Sequence, residues 1–157
     1  MKQDRFLTGI LIGIGVLILL ALVLFFSRKD AKDYMVVKSP AASVFNYVLA
    51  INNKDYKMAY TYLADKKNKP SYDKFRQSFF NGNANPNNVG VDVGEAQING
   101  DEAFVDITLV YSSSDPFSGS YNNTDRAQLV NQNGEWKLIY MPYNFWSYDW
   151  YQEPIKP

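Results

Sequence analysis

Hydrophobic and polar positions change rhythm twice along the chain. From Phe6 to Phe26 runs an uncharged stretch of 21 residues, broken mainly by Thr8, Gly9, Gly13 and Gly15. At ~1.5 Å per residue a helix of this length reaches about 31 Å, one hydrocarbon core. Lys2, Asp4 and Arg5 precede it, and Arg28, Lys29 and Asp30 close it. A signal peptide would be shorter and end in a small-x-small cleavage site, whereas this run ends in Leu24-Phe25-Phe26. The pattern predicts an N-terminal tail (1–5), an uncleaved single-pass anchor (6–27) and a short polar linker (28–38).

A helical rhythm follows. Ser39-Pro40 supplies an N-cap and a proline at the first helical position. Ala41, Val44, Phe45, Val48 and Leu49 then recur at spacings of three and four, and Asn52-Asn53-Lys54 breaks the pattern. Asp55 can cap a second, shorter helix carrying Tyr56, Ala59, Tyr60, Tyr62 and Leu63. Ser71 can cap a third, with Phe75 and Phe79 inward and Gly82 just past its end.

The rhythm then becomes alternation. Val89, Val91 and Val93 form one apolar stripe; Ala103, Val105, Ile107 and Leu109 form another. Asn99-Gly100 between them predicts a type I′ hairpin pairing Ile98 with Asp101 and Ala96 with Ala103. Unbroken, that register sets Val93 beside Asp106. One extra residue near Gly94-Glu95 aligns Val93 with Val105 instead, so a β-bulge is expected there. After a long loop from Ser112 to Asn123, Asn133-Gly134 marks a second hairpin, pairing Leu129 with Leu138, Ala127 with Tyr140 and Val130 with Lys137. The expected fold class is α+β: a cone of three helices on a curved, four-stranded antiparallel sheet, behind one transmembrane helix.

Three stretches carry a family resemblance. They are Val44-Phe45-Asn46-Tyr47-Val48-Leu49-Ala50, then Asn53-Lys54-Asp55-Tyr56-Lys57-Met58-Ala59-Tyr60, then Ser71-Tyr72-Asp73-Lys74-Phe75. Together they resemble the nuclear transport factor 2-like (cystatin-like) superfamily, in particular its small bacterial membrane-anchored or lipoprotein domains of unknown function. Leu129 to Leu138 looks like their final hairpin. The resemblance covers a domain of residues 39–141, followed by an aromatic tail (142–157). It implies that an acid/base site could lie inside the cone, built from Asp92 or Asp106 and a tyrosine. The alternation, however, places both aspartates opposite the valine stripe, where a solvated carboxylate is the simpler outcome.

Composition narrows the chemistry. The 157 residues include no cysteine and no histidine, so there is no disulfide framework, thiol nucleophile, imidazole base or zinc site of the usual ligands. No catalytic residue, cofactor-binding residue or metal ligand is assigned. Sixteen basic residues balance sixteen acidic ones, which argues against a nucleic-acid partner. The charges are segregated: residues 28–80 carry 11 basic and 5 acidic (net +6), residues 81–157 carry 3 and 10 (net −7). Lys66-Lys67-Asn68-Lys69 could meet anionic headgroups or serve as a solvated loop. Asp115 and Asp125 flank a loop but stand too far apart in sequence to suggest a metal site. Asn122-Asn123-Thr124 is a formal glycosylation sequon.

Two features remain for partners. Gly9 and Gly13, with Gly15 nearby, form a small-residue stripe that would let another membrane helix approach, including a second copy. The tail 142–151 holds six aromatics in ten residues: Tyr143, Phe145, Trp146, Tyr148, Trp150 and Tyr151. Three burial sites are open to it: the outer sheet face around Phe104, Val110, Val130 and Ile139; a protein partner, for which Tyr and Trp are favoured anchors; or the bilayer interface. The sequence thus points to a non-enzymatic, membrane-anchored accessory or assembly subunit using its helix, sheet face and aromatic tail. A binding module for a small apolar ligand in the cone is the alternative, and an isomerase- or dehydratase-like enzyme a third. Counting Lys and Arg slightly favours a cytoplasmic body, a bias that long domains override. The Asn-, Ser- and Tyr-rich body instead points outside the cytoplasm, at the cell membrane.

Overall fold

A computed structural model describes residues 5–27, 33–112 and 119–153. Helix α1 (Arg5–Ser27) is a unit by itself, and the body starts at Tyr34. Every described α1 side chain, Thr8 to Leu24, is exposed. Among the described residues no helix is long and apolar enough to cross a membrane.

Among the described residues the body has three α-helices, α2 (Pro40–Asn52), α3 (Tyr56–Thr61) and α4 (Tyr72–Phe80), then four strands and a short 3-10 helix (Tyr143–Phe145). Each helix starts where a polar side chain satisfies an orphan N–H. Ser39 accepts from the Ala42 amide at 3.1 Å, Asp55 from Met58 at 3.0 Å and Ser71 from Lys74 at 3.3 Å. Replacing Ser39 with Ala is expected to cost about 1 kcal/mol, read as an earlier denaturation midpoint at unchanged slope.

Strands β1 (Val89–Asn99), β2 (Glu102–Tyr111), β3 (Tyr121–Gln132) and β4 (Glu135–Tyr140) form one antiparallel sheet in that order. The bulge lies where the alternation places it, between Val93 and Ala96. The first hairpin is shifted, however. Gly100 (φ +61°) and Asp101 make the turn, pairing Asn99 with Glu102, Ile98 with Ala103 and Val93 with Ile107. Glycine takes the first turn position, as type II′ loops prefer, and Ile98 faces alanine instead of an acid. The slip moves each partner by two residues, so every side chain keeps its face. In the second hairpin Asn133 and Gly134 both have positive φ, and Leu129 pairs with Leu138 and Val130 with Lys137. A further register shift gives Tyr140 to Gln128 instead of Ala127. β3 also begins earlier than the sequence suggests, because Tyr121 stacks on its partner Tyr111 at 4.6 Å.

The edge of β4 is capped by the chain that follows α3. The Ala64 amide donates to the Leu138 carbonyl at 2.9 Å, and the Leu138 amide to the Tyr62 carbonyl at 2.7 Å. This short parallel pairing satisfies backbone groups that an open edge would expose.

Between helices and sheet lies one core. Val44, Tyr47, Val48 and Ile51 of α2 and Phe75 of α4 meet Ala103, Val105, Ile107, Leu109, Ala127, Leu129 and Leu138. The α2 stripe differs from expectation: Phe45 is only half-buried, while Tyr47 and Asn46 are buried. A helix covered on several sides does not advertise a single face. Here the C-terminal tail covers one flank and residues 34–38 another.

Candidate functional site

The aromatic tail is part of the core. After β4, Met141 and Phe145 are fully buried, and Trp146 and Trp150 nearly so, in the same cluster as the inward sheet residues. Trp150 packs 5.0 Å from Phe75, 6.0 Å from Phe79 and 4.8 Å from Trp146. Trp146 also lies edge-on to Tyr47 and stacks on Tyr151. Polar groups are satisfied as the rings go in. The Tyr47 hydroxyl donates to the Phe145 carbonyl at 2.7 Å, and Trp150 Nε1 to Ser78 Oγ at 3.3 Å. The Tyr151 hydroxyl donates to the Ala64 carbonyl at 2.6 Å, and Lys74 pairs with Asp149 at 2.8 Å.

This corrects the assignment of the tail as a partner surface. Phe145, Trp146 and Trp150 face inward, and Tyr151 is half-buried; Tyr143 (66% exposed) and Tyr148 (83% exposed) alone stay open. The tail does not lie on the outer sheet face either. The reason is volume: α3 has six residues and α4 nine, so the short helices leave part of the sheet to be covered by rings. Phe104, Val110 and Ile139 consequently stay half-exposed on the opposite face, whereas Val130, expected beside them, is buried.

The other sequence candidates are dispersed. Asp92 is exposed on β1; Asp106 lies half-exposed on β2, its Oδ1 2.7 Å from Arg126 Nε. Neither enters the core. Asp115 lies outside the described residues. Lys69 pairs with Asp65 at 2.7 Å and Lys67 with Glu153 at 2.9 Å, so two of the three lysines in that loop already have acidic partners. Among the described residues no group of three carboxylates converges. Gly9, Gly13 and Gly15 have nothing within 4 Å of an added Cβ, so α1 has room there for a close neighbour.

One recess lies where the sequence suggests only a linker. Residues 34–38 are held against the body by Asn46, a buried α2 side chain. Its Oδ1 accepts from the Met35 amide at 2.7 Å, and its Nδ2 donates to the Met35 carbonyl at 2.9 Å. A groove of about 410 Å³ runs beneath, lined by Met35 to Lys38, Asn46, Tyr62, Trp136 and Lys137 among others. Lys137 is anchored twice, to the Thr61 carbonyl at 2.9 Å and to Glu135 at 2.7 Å. That ion pair holds the exposed Glu135 carboxyl below its ordinary value, and burial raises the Tyr62 phenol. The groove therefore offers the Tyr62 phenol beside the mutually paired Lys137 ammonium and Glu135 carboxylate, while the Asn46 amide is committed to Met35. The one sequence signal for it is Met35-Val36-Val37, three apolar residues in an otherwise polar linker.

Buried phenols give the body a pH signature. Burial first, then the neighbouring Tyr151, raises Tyr47 well above the ordinary value of 10.0. Tyr151 is raised by burial, then by Asp65 and Tyr60. Tyr111 is pushed up to about 12 by burial and by the adjoining Tyr143. A phenol that resists ionisation when folded stabilises the fold fully below the unfolded value. That stability is lost as pH climbs from about 10 toward the raised values. Alkaline unfolding is therefore expected to begin above pH ~10, with late-titrating phenols at 295 nm. A body indifferent to pH 12 would contradict it.

No protein-family model matches the sequence, and no curated protein does. Among solved structures, the chain is similar to an uncharacterized cystatin fold protein from Novosphingobium aromaticivorans. The two share 12% identity at a TM-score of 0.41, over 65% of this chain and 98% of the other.

Proposed function

We propose that the protein is a non-enzymatic, single-pass membrane protein that serves as an accessory or assembly subunit of a larger membrane complex. The observation that carries this reading is the filling of the core by Met141, Phe145, Trp146 and Trp150. A body packed with its own tail has its surfaces to work with. These rings occupy part of the helix-covered face, which favours the outer surfaces over an interior ligand site. The open surfaces include the half-exposed Phe104, Val110 and Ile139 on the outer sheet face, with Tyr143 and Tyr148 elsewhere.

Membrane anchoring through α1 is part of the proposal. Its support is the sequence: the run from Phe6 to Phe26 is uncharged and, as a helix at ~1.5 Å per residue, would reach about one hydrocarbon core. Gly9, Gly13 and Gly15 would seat a neighbouring helix, from a partner subunit or a second copy. We place the body outside the cytoplasm at the cell membrane. Membership of the nuclear transport factor 2-like group belongs to the same proposal, supported by three short helices on a four-stranded antiparallel sheet.

Extraction of the native membrane in mild detergent, followed by size fractionation, tests the subunit role. Stoichiometric co-migration with a large complex is expected. Migration alone, or as a small homo-oligomer, would sink it.

A further inference from the structure

Val36 and Val37 are 94% and 71% exposed, in a segment that is otherwise pinned. On one side Asn46 grips both backbone groups of Met35; on the other, the Ser39 amide donates to the Val37 carbonyl at 3.1 Å, and Ser39 caps α2. Two aliphatic side chains are thus held out into solvent between two fixed points. The clamp makes this small apolar display a fixed feature of the body's surface.

We infer that Val36 and Val37 are a prong that inserts into the surface of the bilayer that holds α1, docking the body against its own membrane. This deepens the proposed function and rests on α1 being the anchor. Chain length favours lipid as the occupant. From Ser27 to Tyr34 there are seven residue steps, at most ~25 Å even when fully extended, so the prong cannot leave the neighbourhood of the membrane. Side-chain chemistry agrees. Valine is under-represented among the anchors of protein interfaces, whereas aliphatic residues beside a tyrosine, here Tyr34, suit the headgroup boundary. Charge agrees too: in the sequence flanking the prong, Arg28, Lys29, Lys32 and Lys38 outnumber Asp30 and Asp33, which favours anionic headgroups.

The absence of cysteine makes the test clean. Val36→Cys in the full chain, labelled with an environment-sensitive fluorophore, is reconstituted into phosphatidylcholine vesicles containing a minority of phosphatidylglycerol, with or without spin-labelled lipid. Tyr148→Cys is the control on the body. The Val36 label should shift to the blue and lose most of its emission to the spin-labelled lipid, while the Tyr148 label should not. Adding Val37→Asp should restore the emission, which separates insertion from mere proximity. A Val36 label that is neither shifted nor quenched overturns the proposal. A label shifted but not quenched would mean a protein covers the prong, and overturns it equally. Washing the same vesicles in high salt at neutral pH, which leaves the body folded, and then floating them distinguishes the two levels. Release of the chain would overturn the anchor and the prong together, whereas retention with an unquenched label would overturn the prong alone.

Discussion

A chain that stops at Met141 is expected not to fold. Such a chain keeps all three body helices and all four strands but loses Phe145, Trp146 and Trp150, each at most 4% exposed. Removing one large buried aromatic costs roughly 3–5 kcal/mol, and a whole domain of this size is stable by only about 5–15 kcal/mol. Three such losses, about 9–15 kcal/mol together, are as large as the whole of that stability. They also orphan the Tyr47 hydroxyl, whose acceptor is the Phe145 carbonyl. In detergent, the shortened chain should lose its near-ultraviolet dichroism and be cleaved throughout the body by chymotrypsin. A chain stopped at Glu153 should keep both properties. Cooperative unfolding of the Met141 chain would show that the tail is an accessory to the core, contrary to its burial.

Trp150→Ala concentrates the same effect in one residue. The indole touches Phe75, Phe79 and Trp146 and spends its N–H on Ser78. Its loss is expected to destabilise by about 3–5 kcal/mol. Trp150→Phe should cost less, because a ring remains to fill the gap. Tyr148→Ala, two residues away and 83% exposed, should stay within ~0.5 kcal/mol. Equilibrium unfolding of the three variants decides it, and near-equal midpoints for Trp150→Ala and Tyr148→Ala would refute the packing described. The result also governs partner mapping. Loss of a partner on Trp150→Ala would report unfolding, so tests of an interface should use Tyr143, Tyr148 or the outer sheet face.

Much of the body can be read from local chemistry. The three caps, Ser39, Asp55 and Ser71, begin their helices because each satisfies an amide within three residues, a relation that sequence displays directly. The bulge near Gly94 is equally legible, since two apolar stripes must stay on one face. What escapes is whatever depends on distant chain. The turn at Gly100 is shifted because Ile98 is matched to Ala103, a choice between neighbouring registers that preserve the same faces. The destination of the tail is hidden for a similar reason. Six aromatics announce burial, but the gap they fill exists only because α3 and α4 are short. Asn46 is the clearest case: on a helical wheel it is a polar residue, and only the return of Met35 makes it a clamp.

The tail also fixes the order of events in synthesis. Tyr47 meets Phe145 across 98 residues, and Ser78 meets Trp150 across 72. Contacts this distant in sequence slow folding, and here they involve some of the last described residues to be translated. Helices and hairpins can form as they emerge, yet the core cannot close before Trp150 is available. A chain threaded into or across a membrane during translation would therefore travel with its body open. It would fold only afterwards, and a prematurely terminated copy would stay open to proteolysis.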